Sequence, residues 1–300
     1  MSVWDDLDLL LDNPSSLTVT SSARGTIKDK ANFKAEEDVA ALKKAIEGLG
    51  TTEKILIEVL TQRSNAQRQL IARAYEKATG RGPGTSESTL TEIFASRSNR
   101  QIKVINETYL AETGRSLIHD LQSEVSGDYG KALLILAEGK RDENTKVDNA
   151  KVKADAKALY EAGEKKWGTD EGKFIDILCH RSIPQLRQTL IEYKNIAKKT
   201  LQESIESEMS GDLEKLLVAV VKCVKNTPAY LAERLFKSMK GLGTTESTLT
   251  RIIVSRSEID LMDIRAEYKK LFGYTLYSQL ESEVSGSYGN ALKSICGQDD

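Results

Sequence analysis

Three glutamates carry the spacing most suggestive of chemistry in this chain: Glu124, Glu208 and Glu283. Each stands just before a Ser-Gly pair, in Glu-Val-Ser-Gly or Glu-Met-Ser-Gly. Each also follows the first position of a short loop at one fixed offset, Gly82 to Glu124, Lys166 to Glu208 and Gly241 to Glu283. The loops read Gly-Pro-Gly-Thr, Lys-Trp-Gly-Thr and Gly-Leu-Gly-Thr, and a fourth begins at Gly48. Such a loop exposes backbone carbonyls, which suit a hard cation, and calcium takes about six to eight oxygens. Carbonyls alone leave the ion's charge uncompensated, so a carboxylate must come from elsewhere, and the fixed offset supplies one. The same offset from Gly48 reaches Leu90, so the first loop lacks that acid. Two other readings stay open on spacing alone. The loop is also compatible with a plain helix–helix turn using glycine for positive φ. A phosphate cradle fits poorly, because no strand pattern precedes the loop and no Lys-Ser/Thr signature follows it.

These loops belong to an internal repeat. Gly-Thr-Ser-Glu-Ser-Thr-Leu from Gly84 returns as Gly-Thr-Thr-Glu-Ser-Thr-Leu from Gly243. The segment beginning at Leu121 returns at Leu280, which is the same displacement along the chain. In every copy an arginine follows the loop glycine at a constant interval: Gly50 to Arg63, Gly84 to Arg97, Gly168 to Arg181 and Gly243 to Arg256. A tyrosine then follows each arginine at a second constant interval, at Tyr75, Tyr109, Tyr193 and Tyr268, and a Ser-Gly pair ends at Gly127, Gly211 and Gly286. Fixed spacing of this kind indicates an array of repeated helical units. Apolar residues recur every three to four positions rather than every two, which predicts helices, five to a full unit. The arginines fall at the predicted ends of second helices, where a cation suits the helix dipole, and structural ion pairs are the expected role. The first copy is short. The step from Gly50 to Gly84 is less than half the step from Gly168 to Gly243. The fourth and fifth helices of that copy, and an independent first helix for the next, are the parts expected to be missing.

Composition narrows the function further. The 300 residues are 39% hydrophobic and 29% charged, enough to build a core. With 43 basic and 45 acidic side chains the chain is near neutral, which argues against nucleic acid as a partner. An anionic membrane stays possible, since a bound cation would bring the positive charge. Cys179, Cys223 and Cys296 are too few for a disulfide scaffold or zinc cluster and are expected as buried thiols on helices. His119 and His180 share no repeated spacing and no partnered ligands, so no enzyme activity is expected. The first residues lack a basic leader region. No apolar run reaches the length of about 18 residues that a membrane-spanning helix needs. A cytoplasmic protein is the expectation. Residues 1–22 read as an acidic tail in which Trp4, Leu7, Leu10 and Leu11 could form an amphipathic turn that docks on the body or on a protein partner.

The combined pattern resembles the annexin family. The likeness rests on Gly-Leu-Gly-Thr-Thr-Glu at 48–53 and 241–246, Gly-Pro-Gly-Thr-Ser-Glu at 82–87, Lys-Trp-Gly-Thr-Asp-Glu at 166–171, and the later Glu-x-Ser-Gly. It covers residues 23–300. The resemblance implies an all-α fold, an array of five-helix repeats forming a curved disc, here with a truncated first repeat. The division expected is a tail (1–22), a truncated first repeat (23–80), a second repeat lacking its own first helix (81–140), a third (141–225) and a fourth (226–300).

The resemblance also implies calcium-dependent binding to anionic phospholipid, calcium being the cofactor. It assigns carbonyl ligands to Met239, Gly241 and Gly243 with the carboxylate of Glu283. In the second repeat it assigns Gly80, Gly82 and Gly84 with Glu124, and in the third Gly163, Lys166 and Gly168 with Glu208. Thr51 and Glu53 correspond to a weaker accessory site, and Trp167 and Lys240 to lipid contacts. The competing expectation is a helical protein-interaction scaffold whose membrane binding is weakened or lost through the shortening.

Overall fold

The computed structural model describes residues 26–27, 30–31, 33–34, 37–38, 41, 57–59, 61–64, 66–68, 70–71, 87–163, 168–240 and 245–298. Every regular element among them is helical. The longer helices among these residues are α1 (Glu87–Ser96), α2 (Asn99–Thr113), α3 (Leu117–Glu124), α4 (Gly127–Ala137), α5 (Asn149–Ala162), α6 (Glu171–His180), α7 (Ile183–Ala197), α8 (Leu201–Glu208), α9 (Gly211–Met239), α10 (Glu246–Arg256), α11 (Leu261–Phe272), α12 (Leu276–Glu283) and α13 (Gly286–Cys296). The all-α expectation holds. α9 is two helices joined end to end, broken at Asn226 (φ −159°, ψ 103°). Pro228 then sits near the start of the second half, where a missing N–H is harmless.

Local chemistry sets the boundaries. Ser98 caps α2 in a reciprocal box with Gln101, and Thr200 caps α8 in the same way with Glu203. Asp148 accepts from the backbone of Ala150 and Lys151 to open α5. Gly114 (φ +69°) and Gly273 (φ +82°) close α2 and α11 in the left-handed conformation. Lys198 (φ +61°) holds the equivalent place after α7, as the one non-glycine at positive φ among the described residues.

The helices form two compact units. The first is built on residues 85–227. Its core joins Phe94, Ile102, Leu121 and Leu133 of the second repeat to Leu159, Phe174, Leu186, Tyr193 and Leu217 of the third. Full burial of each such side chain contributes about 1.5–3 kcal/mol. The second unit joins residues 228–298 to the described residues between 26 and 71. There Ile27 N–H donates to Ser257 O (3.2 Å), Thr26 Oγ1 to Ile295 O, and Arg68 pairs with Glu258 (3.3 Å). Phe236 stacks on Phe272 with centroids 4.0 Å apart, and Tyr268 meets Phe272 edge-on.

Three of the four repeated arginines are structural ion-pair donors, as their spacing suggests. Arg63 grips Asp38 through Nε and Nη2 (2.5 and 2.7 Å). Arg181 grips Asp155 likewise (2.8 and 3.1 Å), and Arg256 grips Asp260 (2.6 and 2.5 Å). Arg97 donates to Ser96 Oγ. A second clamp accompanies the first. Gln67 and Gln185, each four positions beyond its arginine, bond both backbone groups of a residue far back in the chain, Lys30 and Asp148 respectively. Residues 66–71 therefore serve the first repeat as its third helix.

Candidate metal centres

Glu124, Glu208 and Glu283 occupy the same structural place. Each is the last residue of a short helix, α3, α8 or α12. Each is exposed. The next residue turns extended and its N–H closes the helix, Val125 onto Leu121 O, Met209 onto Ile205 O and Val284 onto Leu280 O. Gly127 (φ +63°), Gly211 (φ +75°) and Gly286 (φ +63°) then reverse the chain into the following helix. A carboxylate at a helix C-terminus meets the negative end of the dipole and is disfavoured by about 0.3–1 kcal/mol. Helix stability alone would choose a cation there, and the chain chooses an acid three times.

A repeated tyrosine braces this helix from below. Tyr109 Oη donates to Asp120 Oδ2 on α3 (2.7 Å), and Tyr193 Oη to Ser204 Oγ on α8 (2.8 Å). Tyr268 is fully buried, and burial, with Tyr274 and Glu283 adding to it, holds its phenol well above the usual range. The following helix approaches closely. A Cβ on Gly289 would lie 2.7 Å from Val284 O, and one on Gly130 would lie 3.1 Å from Val125 O. These glycines let α13 and α4 press against the residue next to the glutamate.

The third-repeat loop shows how carbonyls reach the acid. α5 is capped by Gly163, a buried residue whose missing side chain leaves room for Phe174, 3.2 Å from where a Cβ would be. Asp170 N–H donates back to Ala162 O (2.9 Å), closing the loop, and Gly168 (φ +84°) takes a backbone conformation that favours glycine. Thr169 Oγ1 donates to Glu208 O (3.4 Å), which ties this loop to the end of α8. In the fourth repeat Thr245 N–H donates to Ser238 O (2.7 Å), the same kind of closure. Met239, with a buried side chain, ends α9, and Lys240 stands exposed with Nζ 5.1 Å over the Phe236 ring.

Gly80, Gly82, Gly84, Lys166, Trp167, Gly241, Gly243, Thr51 and Glu53 lie outside the described residues. Gly163, Gly168 and Glu208 are brought to one loop-and-helix end, and Glu124, Glu283, Met239 and Lys240 are placed as described. Among the described residues no three His, Cys, Asp or Glu side chains gather. A cation at these loops is thus held mainly by neutral carbonyls with one carboxylate, an all-oxygen donor set that suits calcium. Thr169, Tyr193 and the glycines at 130 and 289 were not singled out by function in the sequence. A Gly-Thr pair in every loop was the available signal for Thr169.

The annexin profile matches residues 37–82, 80–136, 154–220 and 230–295. This chain belongs to the annexin family. Annexin A3 of Mus musculus is 49% identical over 315 aligned positions, covering 92% of this chain and 98% of the relative. The solved structure of annexin III superposes with a TM-score of 0.83 at 48% identity, over 94% of this chain and all of that one. Chicken annexin V in complex with zinc gives 0.82 at 41% identity, over 93% of this chain and all of that one. Annexins are not enzymes. His180 in this annexin is an exposed residue bonded to Asp176 O (3.0 Å), and His119 is exposed as well.

Proposed function

We propose that this annexin binds anionic phospholipid membranes in the presence of calcium, from the cytoplasmic side and reversibly. The observation that carries it is the threefold placement of an exposed glutamate at a helix C-terminus, with one of these ends tied to a carbonyl-bearing loop through Thr169. Calcium would be held in the fourth repeat by the carbonyls of Met239, Gly241 and Gly243 with Glu283. Gly80, Gly82 and Gly84 with Glu124 would hold it in the second, and Gly163, Lys166 and Gly168 with Glu208 in the third. Thr51 and Glu53 form a weaker accessory site. A bound calcium supplies positive charge and open coordination positions for lipid phosphate oxygens. Low ligand charge makes each site weak, and several sites on one chain raise the apparent affinity together. Lys240 and Trp167 add contacts at the headgroup level.

The first and second repeats are read as joined by a shortened junction, which lacks about half a repeat. Support comes from the mouse relative. Its alignment runs over 315 positions, more than the 300 residues of this chain, yet it takes in only 92% of the chain. The surplus is sequence that the relative has and this chain does not. On this reading the repeats run 23–80, 81–140, 141–225 and 226–300 after the tail.

The test is calcium-dependent sedimentation with vesicles containing phosphatidylserine. Wild type should sediment only with calcium. Replacing Glu124, Glu208 and Glu283 together by glutamine should nearly abolish sedimentation without loss of helicity. A folded triple variant that sediments at the wild-type calcium concentration would overturn the reading. A wild type that never sediments would favour the interaction scaffold.

A further inference from the structure

The second repeat presents a helix-binding face that no described element covers. In the third repeat α5 lies along α7 and buries Ser182, Gln185, Thr189 and Tyr193, each 4% exposed or less. The equivalent residues of α2 are Ser98, Gln101, Ile105 and Tyr109. Ser98 is exposed and the other three are partly exposed. Val104, on the same side, is 52% exposed. Gln185 clamps the backbone of the covering helix's cap residue, whereas Gln101 Oε1 accepts from Ser98 N–H of its own helix. The stretch that precedes α1 in sequence does not supply the cover through residues 66–71, because Gln67 and Arg68 are committed to Lys30 and Glu258.

The two covering segments that the chain does possess share a pattern. In α5 it is Val152, Asp155, Ala156 and Leu159, and in the first repeat Ala35, Asp38, Val39 and Leu42. The acid pairs with the repeated arginine. The apolar residues stand at −3, +1 and +4 from it, the spacing of one helix face. The same spacing recurs in the tail as Val3, Asp6, Leu7 and Leu10. The tail is also complementary in charge. It carries Asp5, Asp6, Asp8 and Asp12 and has no Lys or Arg before Arg24. The N-terminal end of α2 carries Arg97 and an exposed Arg100. The anchor nearest the tail is Thr26, fastened to Ile295, and the stretch 13–25 is left as a tether beyond the docking segment.

We propose that residues 3–12 of the same chain dock on α2 as a substitute first helix for the second repeat. Asp6 takes the place beside Arg97 that Asp155 holds beside Arg181. Leu7 and Leu10 cover Ile105 and Val104. Too few residues precede Asp6 to reach the glutamine clamp, which agrees with Gln101 being engaged in its own cap. Because Tyr109 joins α2 to α3, docking also steadies the helix that ends at Glu124. The inference rests on the shortened second repeat and not on membrane binding.

Hydrogen exchange without calcium or lipid tests it on the full chain. Deleting residues 1–12, or making Asp6→Lys, should speed exchange of α2 amides about tenfold while α7 and α11 stay unchanged. The charge swap Asp6→Arg with Arg97→Asp should restore protection. If Arg97→Asp unfolds the chain, the deletion and Asp6→Lys decide alone. Unchanged α2 exchange in both would overturn the proposal. Protection should also hold on dilution, and protection that fades with dilution would overturn docking within one chain. In a Trp167→Phe background, Trp4 emission should shift to the red on Asp6→Lys, and an already red, unchanged emission would count against docking.

Discussion

Arg181 and Asp155 form a two-pronged ion pair, Nε to Oδ2 at 2.8 Å and Nη2 to Oδ1 at 3.1 Å, that fastens the end of α6 to the middle of α5. The carboxylate is 9% exposed and the guanidinium 20%. Removing one member of such a pair strands a poorly solvated charge, at about 3 kcal/mol. Asp155→Ala should destabilise the 85–227 unit by that amount in urea unfolding, while Asp155→Glu loses less. A midpoint unchanged by Asp155→Ala would show that water replaces the pair.

Lys198 takes a left-handed conformation (φ +61°) where Gly114 and Gly273 stand in the neighbouring repeats. A Cβ in that region costs about 1 kcal/mol. Lys198→Gly should therefore raise stability by about 1 kcal/mol, less the extra freedom glycine gives the unfolded chain. Thermal unfolding of the two proteins side by side checks the sign.

Gly289 sits where a Cβ would come within 2.7 Å of Val284 O and 2.8 Å of Val284 C, both backbone atoms. Neither can swing aside as a flexible side chain would. Gly289→Ala should push α13 from the end of α12, lower stability by about 1–3 kcal/mol and displace Glu283. Calcium titration should show a weakened fourth-repeat site, with the change confined to residues near 276–296 in hydrogen exchange.

The helical periodicity and the fixed offsets made the helices and the three glutamates legible before any coordinates. The arginines were legible as ion-pair donors, but their partners were not. Asp38 and Asp155 lie far upstream of Arg63 and Arg181, whereas Asp260 lies one helical turn after Arg256. No single spacing rule finds all three. The glutamine clamp left a trace, Gln67, Gln101 and Gln185 at the same offset from the arginine, but its meaning depends on a backbone stretch remote in sequence, at Lys30 and Asp148. Gly130 and Gly289 were invisible as contacts, because closeness to a carbonyl is a property of packing and not of pattern.

Cys179 is 1% exposed, and burial pushes its thiol up to about 12, against a slight pull down from Arg141. The folded protein therefore holds its proton above pH 9, where the unfolded chain releases it. Stability from this group is intact below pH 9 and falls progressively between pH 9 and about 12. Cys179 should resist alkylation at pH 8 until denaturant is added. Rapid native labelling would show that α6 opens readily.

Glu283 offers a test in which structure and function pull in opposite directions. As the last residue of α12 it faces the negative end of the helix dipole, with one carboxylate oxygen accepting from Gln279 Nε2 at 2.9 Å. Glu283→Gln removes the unfavourable charge and keeps the size. Without calcium the variant should be equal to wild type or more stable, by up to about 1 kcal/mol. With calcium the order should invert, because wild type gains binding free energy that the variant lacks. The melting curves of the two proteins should cross as calcium is raised, and the half-maximal calcium for vesicle sedimentation should rise without sedimentation vanishing, since Glu124 and Glu208 remain. A Glu283→Gln protein that is less stable than wild type without calcium, and equally stabilised by it, would make this glutamate a structural residue.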